Sequence, residues 1–253
     1  MTLGVILMVF ALGACGSAQD DRSSLGEASQ QGARGASSRL ELSGEGSRTS
    51  GERVLACLGD SITYGHGVAD PSSQAWPALL QTKLGADWNV VNLGVSGTTL
   101  LDEGGYPYRS TGNVERAKQL NPDVAIIMLG TNDAADSSWN RDAYRNQLAA
   151  LMDELKGASS YDVQLVLMAP PCTFYGEAPA KRHVGINDRI GVEIRAVVRE
   201  LAAEKGAGYV DLFAFTEGHP EWFPDHLHPD EAGNRAIADY VFSQLEGQLD
   251  GFC

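Results

Sequence analysis

The chain has 253 residues, of which 33 are acidic and 19 basic, so its formal net charge at neutral pH is −14. This charge repels the phosphates of nucleic acids and of anionic lipids, and it speaks against a nucleic-acid partner and against electrostatic adsorption to a membrane. The length suffices for one α/β domain with a substantial core.

The first fifteen residues form an uncharged apolar run that ends in Leu12-Gly13-Ala14-Cys15. The run is too short to span a bilayer and is typical of an export signal peptide. Its end resembles the bacterial lipobox, which implies lipidation of Cys15 and a cell-envelope lipoprotein that meets the membrane only through this anchor. No Lys or Arg precedes the run, so an ordinary signal peptide of a secreted or periplasmic protein, or a buried N-terminal segment, stays open.

Residues 16–51 are rich in Ser, Gly, Ala, Glu and Arg and contain no aromatic residue. Such a stretch cannot bury enough apolar surface to order itself, so we expect a disordered tether. A single domain is expected over residues 52–253.

Within this domain, short apolar runs alternate with segments of helical periodicity, which is typical of a parallel sheet with helices on both faces. The predicted strands are Val54–Leu58, Asn89–Leu93, Val124–Leu129, Val163–Met168 and Gly208–Leu212. The predicted helices are Ala75–Lys83, Asn113–Gln119, Arg141–Leu155, Asn187–Glu204 and Asp230–Gln244. Asp230 is a candidate cap for the last helix, where it would fix the loop before it.

The first predicted strand leads into Gly59-Asp60-Ser61-Ile62, and Asp225-His226-Leu227-His228 lies near the C-terminus. A serine hydroxyl becomes a nucleophile when an imidazole accepts its proton and a third group orients that imidazole. Ser61, His228 and Asp225 offer these three roles. Taken singly, the serine is also typical of a helix cap, and the Asp-His-His cluster of a metal site.

Gly94 and Asn132 follow the second and third predicted strands, at the edge of the sheet where ligands bind in such folds. The oxyanion that forms during ester cleavage needs preorganised donors. The Gly94 N–H and the Asn132 side-chain NH₂ are candidates for this role, although each residue alone is also a common turn former.

These four blocks together resemble the SGNH hydrolase superfamily, the GDSL-type esterases. Ser61 matches the first block, Gly94 the second, Asn132 the third, and Asp225 with His228 the last, from about Val54 to Leu245. The resemblance implies a flavodoxin-like three-layer α/β/α sandwich with a five-stranded parallel sheet. It also implies a serine esterase with an acyl-serine intermediate, an oxyanion hole formed by Ser61, Gly94 and Asn132, and no cofactor or metal.

The family pattern Asp-x-x-His selects His228 rather than His226 as the base. His226 is then expected to shape the pocket. The other histidines, His66, His183 and His219, are expected to lie at the surface or in the pocket wall.

Tyr106, Tyr108 and Trp139 follow the second and third blocks and, with Asp60, are candidates for substrate binding. These regions look similar to bacterial sialate O-acetylesterase-like and related carbohydrate acetylesterases, which implies an acetyl ester on a carbohydrate. Core or loop anchoring is the other common use of such aromatics. No long apolar insertion separates the blocks, which favours short acyl groups. A lysophospholipase or thioesterase, and a catalytically silent carbohydrate-binding lipoprotein, are the alternatives.

Beyond Cys15 the chain has three cysteines, so at least one thiol is expected to be free. Cys57 lies in the first predicted strand and is expected to be a small buried hydrophobic residue. A bridge between Cys172 and Cys253 is possible, but the spacing does not support it.

Overall fold

The computed structural model describes residues 51–160, 162–175 and 185–248. The predicted signal peptide with Cys15, the predicted tether up to residue 50, His183 and Cys253 lie outside these ranges. Within the described ranges, no helix is long and apolar enough to cross a membrane.

Five strands form one parallel sheet, and each agrees with its predicted strand to within one residue at either end. They are β1 (Arg53–Gly59), β2 (Trp88–Gly94), β3 (Val124–Met128), β4 (Gln164–Ala169) and β5 (Gly208–Asp211). Their order in the sheet is β2-β1-β3-β4-β5. This is the strand order of flavodoxin-like folds, so the predicted fold class is confirmed.

The helices include the five predicted ones and several shorter ones. In chain order they are α1 (Ser61–Tyr64), α2 (Pro71–Gln74), α3 (Trp76–Leu84), α4 (Asn113–Leu120), α5 (Thr131–Ala135), α6 (Arg141–Ala158), α7 (Ile186–Asp188), α8 (Arg195–Lys205), α9 (Leu212–Thr216) and α10 (Glu231–Gln248). A π-helical turn at Arg189–Ile194 makes α7 and α8 one continuous helical segment. The short helices were not predicted, because four or five residues do not display a helical period.

Side chains of the central strands alternate between two cores, as the two-residue period of a strand dictates. Leu55 and Cys57 of β1 face the layer formed by α3 and α10, whereas Ala56 and Leu58 face the layer formed by α4, α6 and α8. The sheet is therefore covered on both faces, and the predicted three-layer sandwich is confirmed. Cys57 is fully buried, as predicted.

Cys57 and Cys172 are free thiols. The Cys172 Sγ lies 3.2 Å from Asn187 Oδ1, to which it donates a hydrogen bond in a buried position after β4. The bridge to Cys253, which the spacing did not support, involves a residue outside the described ranges.

The chain runs from β1 to β2 on one side and then to β3 on the other side of β1. The direction of winding thus reverses between β1 and β3, and a crevice opens at such a switch point beyond the carboxyl ends of the strands. Ser61 follows β1 and Asn132 follows β3, so the fold itself brings these two residues to the crevice.

Candidate active site

Ser61 is the first residue of α1, directly after β1. The turn between β1 and α1 is tight and needs a glycine at position 59. A Cβ atom on Gly59 would lie 2.8 Å from the Met128 carbonyl oxygen and closer still to the Thr63 side chain. Asp60 caps α1, because its Oδ1 accepts a hydrogen bond from the Ile62 N–H at 3.0 Å. Ser61 is therefore not the helix cap. Its side chain is free to point beyond the strand end, and its own N–H lies in the first turn, where helix N–H groups have no partner within the helix.

The structure brings Ser61, His228 and Asp225 together. His228 Nε2 lies 3.0 Å from Ser61 Oγ, and His228 Nδ1 lies 2.6 Å from Asp225 Oδ2. With the ring proton on Nδ1, the imidazole donates to Asp225 and accepts from the Ser61 hydroxyl, and this tautomer satisfies all three groups. The other oxygen of Asp225 accepts the N–H groups of Leu227 at 2.9 Å and of His228 at 2.7 Å. Asp225 thus fixes both the backbone and the ring of His228.

The loop that carries His228 is anchored by the start of α10. Asp230 accepts a hydrogen bond from the Gly233 N–H at 2.9 Å, which confirms it as the predicted cap. Buried Asn234 accepts from the Trp76 N–H at 3.0 Å and donates to the Pro229 carbonyl oxygen at 2.8 Å. These bonds fix the loop against the start of α3 and so hold His228 next to Ser61.

The electrostatic setting keeps the imidazole neutral. Burial lowers the pKa of His228, and the Asp225 carboxylate offsets part of this effect. Partial burial acts to raise the pKa of Asp225, but hydrogen bonds from the backbone and ring of His228 outweigh it and lower that pKa. At neutral pH the site therefore holds a neutral imidazole beside an ionised carboxylate, the state that general-base chemistry needs.

Asp60 was predicted to bind substrate, and this prediction is wrong. Its side chain is completely buried beneath Ser61, where it caps α1. Burial raises the pKa of Asp60 to about 6, and the hydrogen bond from Ile62 and the Thr131 side chain oppose part of that effect. Asp60 positions Ser61 from behind and offers no surface to a ligand.

Gly94 was predicted to donate to an oxyanion, and its geometry contradicts this. The Gly94 N–H is donated to Asn92 Oδ1 at 2.9 Å, so it is already engaged. A Cβ atom at this position would lie 2.2 Å from the Tyr64 nitrogen. A glycine is needed here because β2 packs directly against the backbone of α1.

Gly97, three residues further along, has the properties that were expected of Gly94. It is exposed, its φ of +82° is the left-handed conformation that favours glycine, and its N–H has no hydrogen-bond partner among the described residues. Gly97 lines a cavity of about 200 Å³ together with Thr99, Gly105, Tyr106, Asn132, Ala135 and Asp136. The Asn132 amide donates one hydrogen bond to the Thr98 carbonyl oxygen at 2.9 Å, which leaves its second N–H for a ligand. The sequence carried a signal, since Gly97 belongs to the same Gly-Val-Ser-Gly run.

Asp133 is a second residue that the sequence analysis missed. It is fully buried, and its two carboxylate oxygens accept the N–H groups of Leu100 and Leu101, each at 2.9 Å. Burial raises the pKa of Asp133 to about 6. By holding the segment after Gly97 against the turn that carries Asn132, Asp133 fixes the two sides of the cavity relative to each other.

The three candidate aromatic residues have different positions. Tyr106 is 45% exposed and lines the cavity beside Asn132, and its contact with substrate stays a prediction. Tyr108 is buried and donates its hydroxyl proton to the Leu93 carbonyl oxygen at 2.7 Å, so its predicted contact with substrate is wrong. The half-buried indole of Trp139 packs on Tyr144 and donates to Glu193 Oε2 at 3.1 Å. Trp139 does not line the cavity beside Asn132, and its contacts with Tyr144 and Glu193 are those of a structural anchor.

The described histidines lie at the surface or near the site, as expected. His226 is exposed with a φ of +71°, and its carbonyl oxygen accepts the Phe174 N–H at 2.8 Å. His219 bonds Glu221. Among the described residues, the group with metal-ligand spacing consists of His66, Asp225 and His228, so His226, which the alternative of an Asp-His-His metal site would use, is not part of it.

Comparisons with known proteins identify the family and the fold. Residues 57–236 match the model of the GDSL-like lipase/acylhydrolase family. An acetylxylan esterase from Xylanibacter ruminicola is 30% identical over 205 residues, which are 76% of this chain and 43% of that protein. A thioesterase 1/protease 1/lysophospholipase L1 from Escherichia coli K12 is 26% identical over 206 residues, which are 79% of this chain and 86% of that protein.

Among solved structures, a carbohydrate acetylesterase from Sinorhizobium meliloti superposes with a TM-score of 0.63 at 18% identity, over 78% of this chain and 100% of that one. At this identity the likeness establishes a shared fold. This chain spans less than half the length of the Xylanibacter relative.

Proposed function

The chain belongs to the GDSL-like lipase/acylhydrolase family, and from this premise we propose that it is a serine esterase that hydrolyses acetyl and other short-chain esters of carbohydrates. The observation that carries the proposal is the continuous hydrogen-bonded line from Ser61 Oγ through His228 to Asp225, with distances of 3.0 and 2.6 Å. A binding protein has no need of a nucleophile and a base in this arrangement.

In the first half of the reaction, His228 Nε2 takes the Ser61 proton while Oγ attacks the ester carbonyl. The Asp225 carboxylate stabilises the imidazolium that forms. The imidazolium then gives its proton to the leaving alcohol oxygen, and the acyl group stays on Ser61. In the second half, His228 takes a proton from water and the resulting hydroxide attacks the acyl-serine. The bond between the acyl carbon and Ser61 Oγ then breaks, His228 returns the proton to Oγ, and the acid is released.

The negative charge that develops on the carbonyl oxygen needs donors beyond the strand ends. The Ser61 N–H at the start of α1, the Gly97 N–H and the free N–H of the Asn132 amide meet this need. Gly97 takes the role first predicted for Gly94, because the Gly94 N–H is bonded to Asn92.

The size of the cavity supports a short acyl group. The space beside Asn132 is about 200 Å³, below the roughly 300–1,000 Å³ of pockets that bury drug-sized ligands. It fits an acetyl group more readily than a long chain. The name of the Xylanibacter relative, an acetylxylan esterase, also supports an acetyl ester on a carbohydrate.

A larger open cavity of about 770 Å³ is lined by residues of α1, α2, α3, β2 and α4 and by none of Ser61, Asp225 and His228, and we propose that further sugar units of a polymeric substrate occupy it. Its lining includes Tyr64, which is 47% exposed, and the polar residues Asn92, Asn113 and Arg116. Aromatic faces and fixed polar groups are suited to sugar rings and their hydroxyls.

The decisive experiment is hydrolysis of p-nitrophenyl acetate and release of acetate from acetylated xylan by the wild-type protein and by Ser61→Ala. The variant should fold normally and lose the activity. Full turnover by the variant, or an inactive wild-type protein that forms no adduct with a fluorophosphonate probe, would overturn the proposal, and the latter result would favour a silent binding protein.

A lysophospholipase or thioesterase is the second candidate, favoured by the name of the Escherichia coli relative. A series of p-nitrophenyl esters from acetyl to decanoyl separates the two. We expect kcat/KM to be highest for acetyl and to fall with chain length, and a maximum at long chains would select the second candidate.

We also propose that the protein is exported and anchored through Cys15, on the basis of its resemblance to the lipobox alone. Metabolic labelling with a fatty acid tests this in a bacterial host. The label should be incorporated into the wild-type protein and not into Cys15→Ser. If neither protein is labelled, the lipid anchor is rejected and the protein is secreted or periplasmic.

A further inference from the structure

The turn Gly65-His66-Gly67 places a second histidine beside the reactive one. Both glycines are left-handed, with φ of +99° and +106°, and a Cβ atom on Gly67 would lie 2.9 Å from the Pro229 carbonyl oxygen and 3.2 Å from the Cβ of His228. The His66 N–H is donated to the Ser61 carbonyl oxygen at 2.8 Å. The turn is thus fixed at one end to the serine and packed at the other against the histidine loop.

As a result, the ring centroids of His66 and His228 are 4.2 Å apart. One potential ligand atom from each of His66, Asp225 and His228 lies within 4.8 Å of the other two. A tetrahedral zinc ion with ligands at about 2.0–2.1 Å holds them about 3.4 Å apart, so small side-chain movements close the site. His66 is exposed, so its side chain has room for such a movement.

We propose that His66, Asp225 and His228 form a binding site for Zn²⁺ and that the bound ion inhibits the enzyme. The inhibitory part rests on the proposed esterase function, whereas the binding site rests on the geometry alone. Two imidazoles and one carboxylate form a donor set typical of zinc, which accepts three protein ligands and an open fourth position. Mg²⁺ and Ca²⁺ prefer oxygen ligands and are not expected to bind there.

Inhibition follows from the two hydrogen bonds of the His228 ring. Its Nδ1 bonds Asp225 and its Nε2 bonds Ser61. A metal ion on Nε2 removes the lone pair that accepts the serine proton, and a metal ion on Nδ1 displaces the carboxylate that orients the ring. Either mode of binding leaves Ser61 without a functional base, while Ser61 itself is not a ligand.

The test uses the purified full chain after removal of metals, and calorimetric titration with ZnCl₂ gives a binding readout independent of activity. Its variants are His66→Gln and, as a matched control, His219→Gln. His219 is a surface histidine whose side chain is 41% exposed, and its Nδ1 lies 2.9 Å from a carboxylate oxygen of Glu221. The wild-type protein and His219→Gln should bind one Zn²⁺ that His66→Gln binds roughly 10-fold more weakly or worse. Ser61→Ala should bind Zn²⁺ like the wild-type protein.

Hydrolysis of p-nitrophenyl acetate is then measured against Zn²⁺ concentration, with each variant normalised to its own metal-free rate. Zn²⁺ should inhibit the wild-type protein and His219→Gln, EDTA should restore the rate, MgCl₂ should have no effect, and His66→Gln should need roughly 10-fold more Zn²⁺. Equal binding and inhibition in His66→Gln and the wild-type protein would overturn the site. His66-dependent binding in a protein without esterase activity would instead retain the site and reject the proposed function.

Discussion

The replacement of Asp225 by Asn separates the two tasks of this carboxylate. Oδ1 holds the backbone N–H groups of Leu227 and His228, and Oδ2 holds the His228 ring. The Asn side chain can keep its oxygen on the backbone, and its NH₂ group then faces His228 Nδ1. This favours the tautomer with the proton on Nε2, which cannot accept a proton from Ser61.

When the partner carboxylate is deeply buried, this change costs roughly 10⁴-fold in kcat. The Asp225 side chain is 51% exposed, so water can reach the ring and restore part of the correct tautomer. We therefore expect kcat for p-nitrophenyl acetate to fall roughly 10²–10³-fold, which corresponds to about 3–4 kcal/mol of transition-state stabilisation. The backbone bonds are retained, so the unfolding free energy should change by less than about 1 kcal/mol.

The assay compares steady-state kinetics and thermal unfolding of the wild-type protein, Asp225→Asn and Asp225→Ala. The Ala variant loses both oxygens and should be both inactive and less stable than the Asn variant. A kcat for Asp225→Asn within a few fold of wild type would refute the assigned role of Oδ2. Loss of activity together with a drop in unfolding temperature as large as that of the Ala variant would refute the separation of the two tasks.

Three further predictions concern the base, the oxyanion site and the two tyrosines. Burial lowers the pKa of His228 below its ordinary 6.5, so the imidazole stays neutral to lower pH than a free imidazole does. The acidic limb of the pH profile of kcat/KM should therefore have its midpoint below pH 6.5. A midpoint above pH 6.5 would contradict the assignment of His228 as the base. Asn132→Ala should lower kcat roughly 10²–10³-fold with little change in KM, and an unchanged kcat would exclude the amide as a donor. Tyr106→Ala should raise KM for acetylated xylan. Tyr108→Phe should lower the free energy of unfolding by about 1 kcal/mol and leave KM unaltered, because it removes the hydrogen bond to the Leu93 carbonyl oxygen. The opposite pattern would show that Tyr108, and not Tyr106, contacts the substrate.

The strands could be predicted from the sequence, and so could Ser61, His228 and Asp225, because each depends on a local sequence pattern. Buried parallel strands are continuous apolar runs, and the motifs at their ends have fixed spacing. Side-chain direction within a loop was not readable. Tyr106 and Tyr108 are two residues apart, yet one is 45% exposed and the other is buried, because a 3₁₀ turn begins at Tyr108.

The prediction that the Gly94 N–H is an oxyanion donor was wrong for a related reason. Gly94 is the last residue of β2 and Gly97 lies in the turn that follows, and from sequence both are compatible with a donor role. What distinguishes them is a side chain on the strand itself, since Asn92 occupies the N–H of Gly94. An Asn side chain can form this bond two residues along the chain, but the Asn92 amide is also fixed by the Thr63 carbonyl oxygen at 2.8 Å, a contact between β2 and α1 that the sequence does not show. The proximity of His66 to His228 likewise arises from a contact between two turns that are distant in sequence.

The two buried carboxylates behind the site show why the fold accepts an energetic cost there. Burial raises the pKa of Asp60 and of Asp133 to about 6, so holding each ionised at neutral pH costs roughly 3 kcal/mol. A helix cap contributes only about 1 kcal/mol, and Asn would cap α1 as well. Stability therefore does not account for these residues. Each oxygen of an ionised Asp133 accepts one of the N–H groups of Leu100 and Leu101, whereas an amide in the same orientation would turn its NH₂ group toward one of these two donors. The cost is explained by position, because these carboxylates hold the turns of Ser61 and Asn132 where the ester must bind.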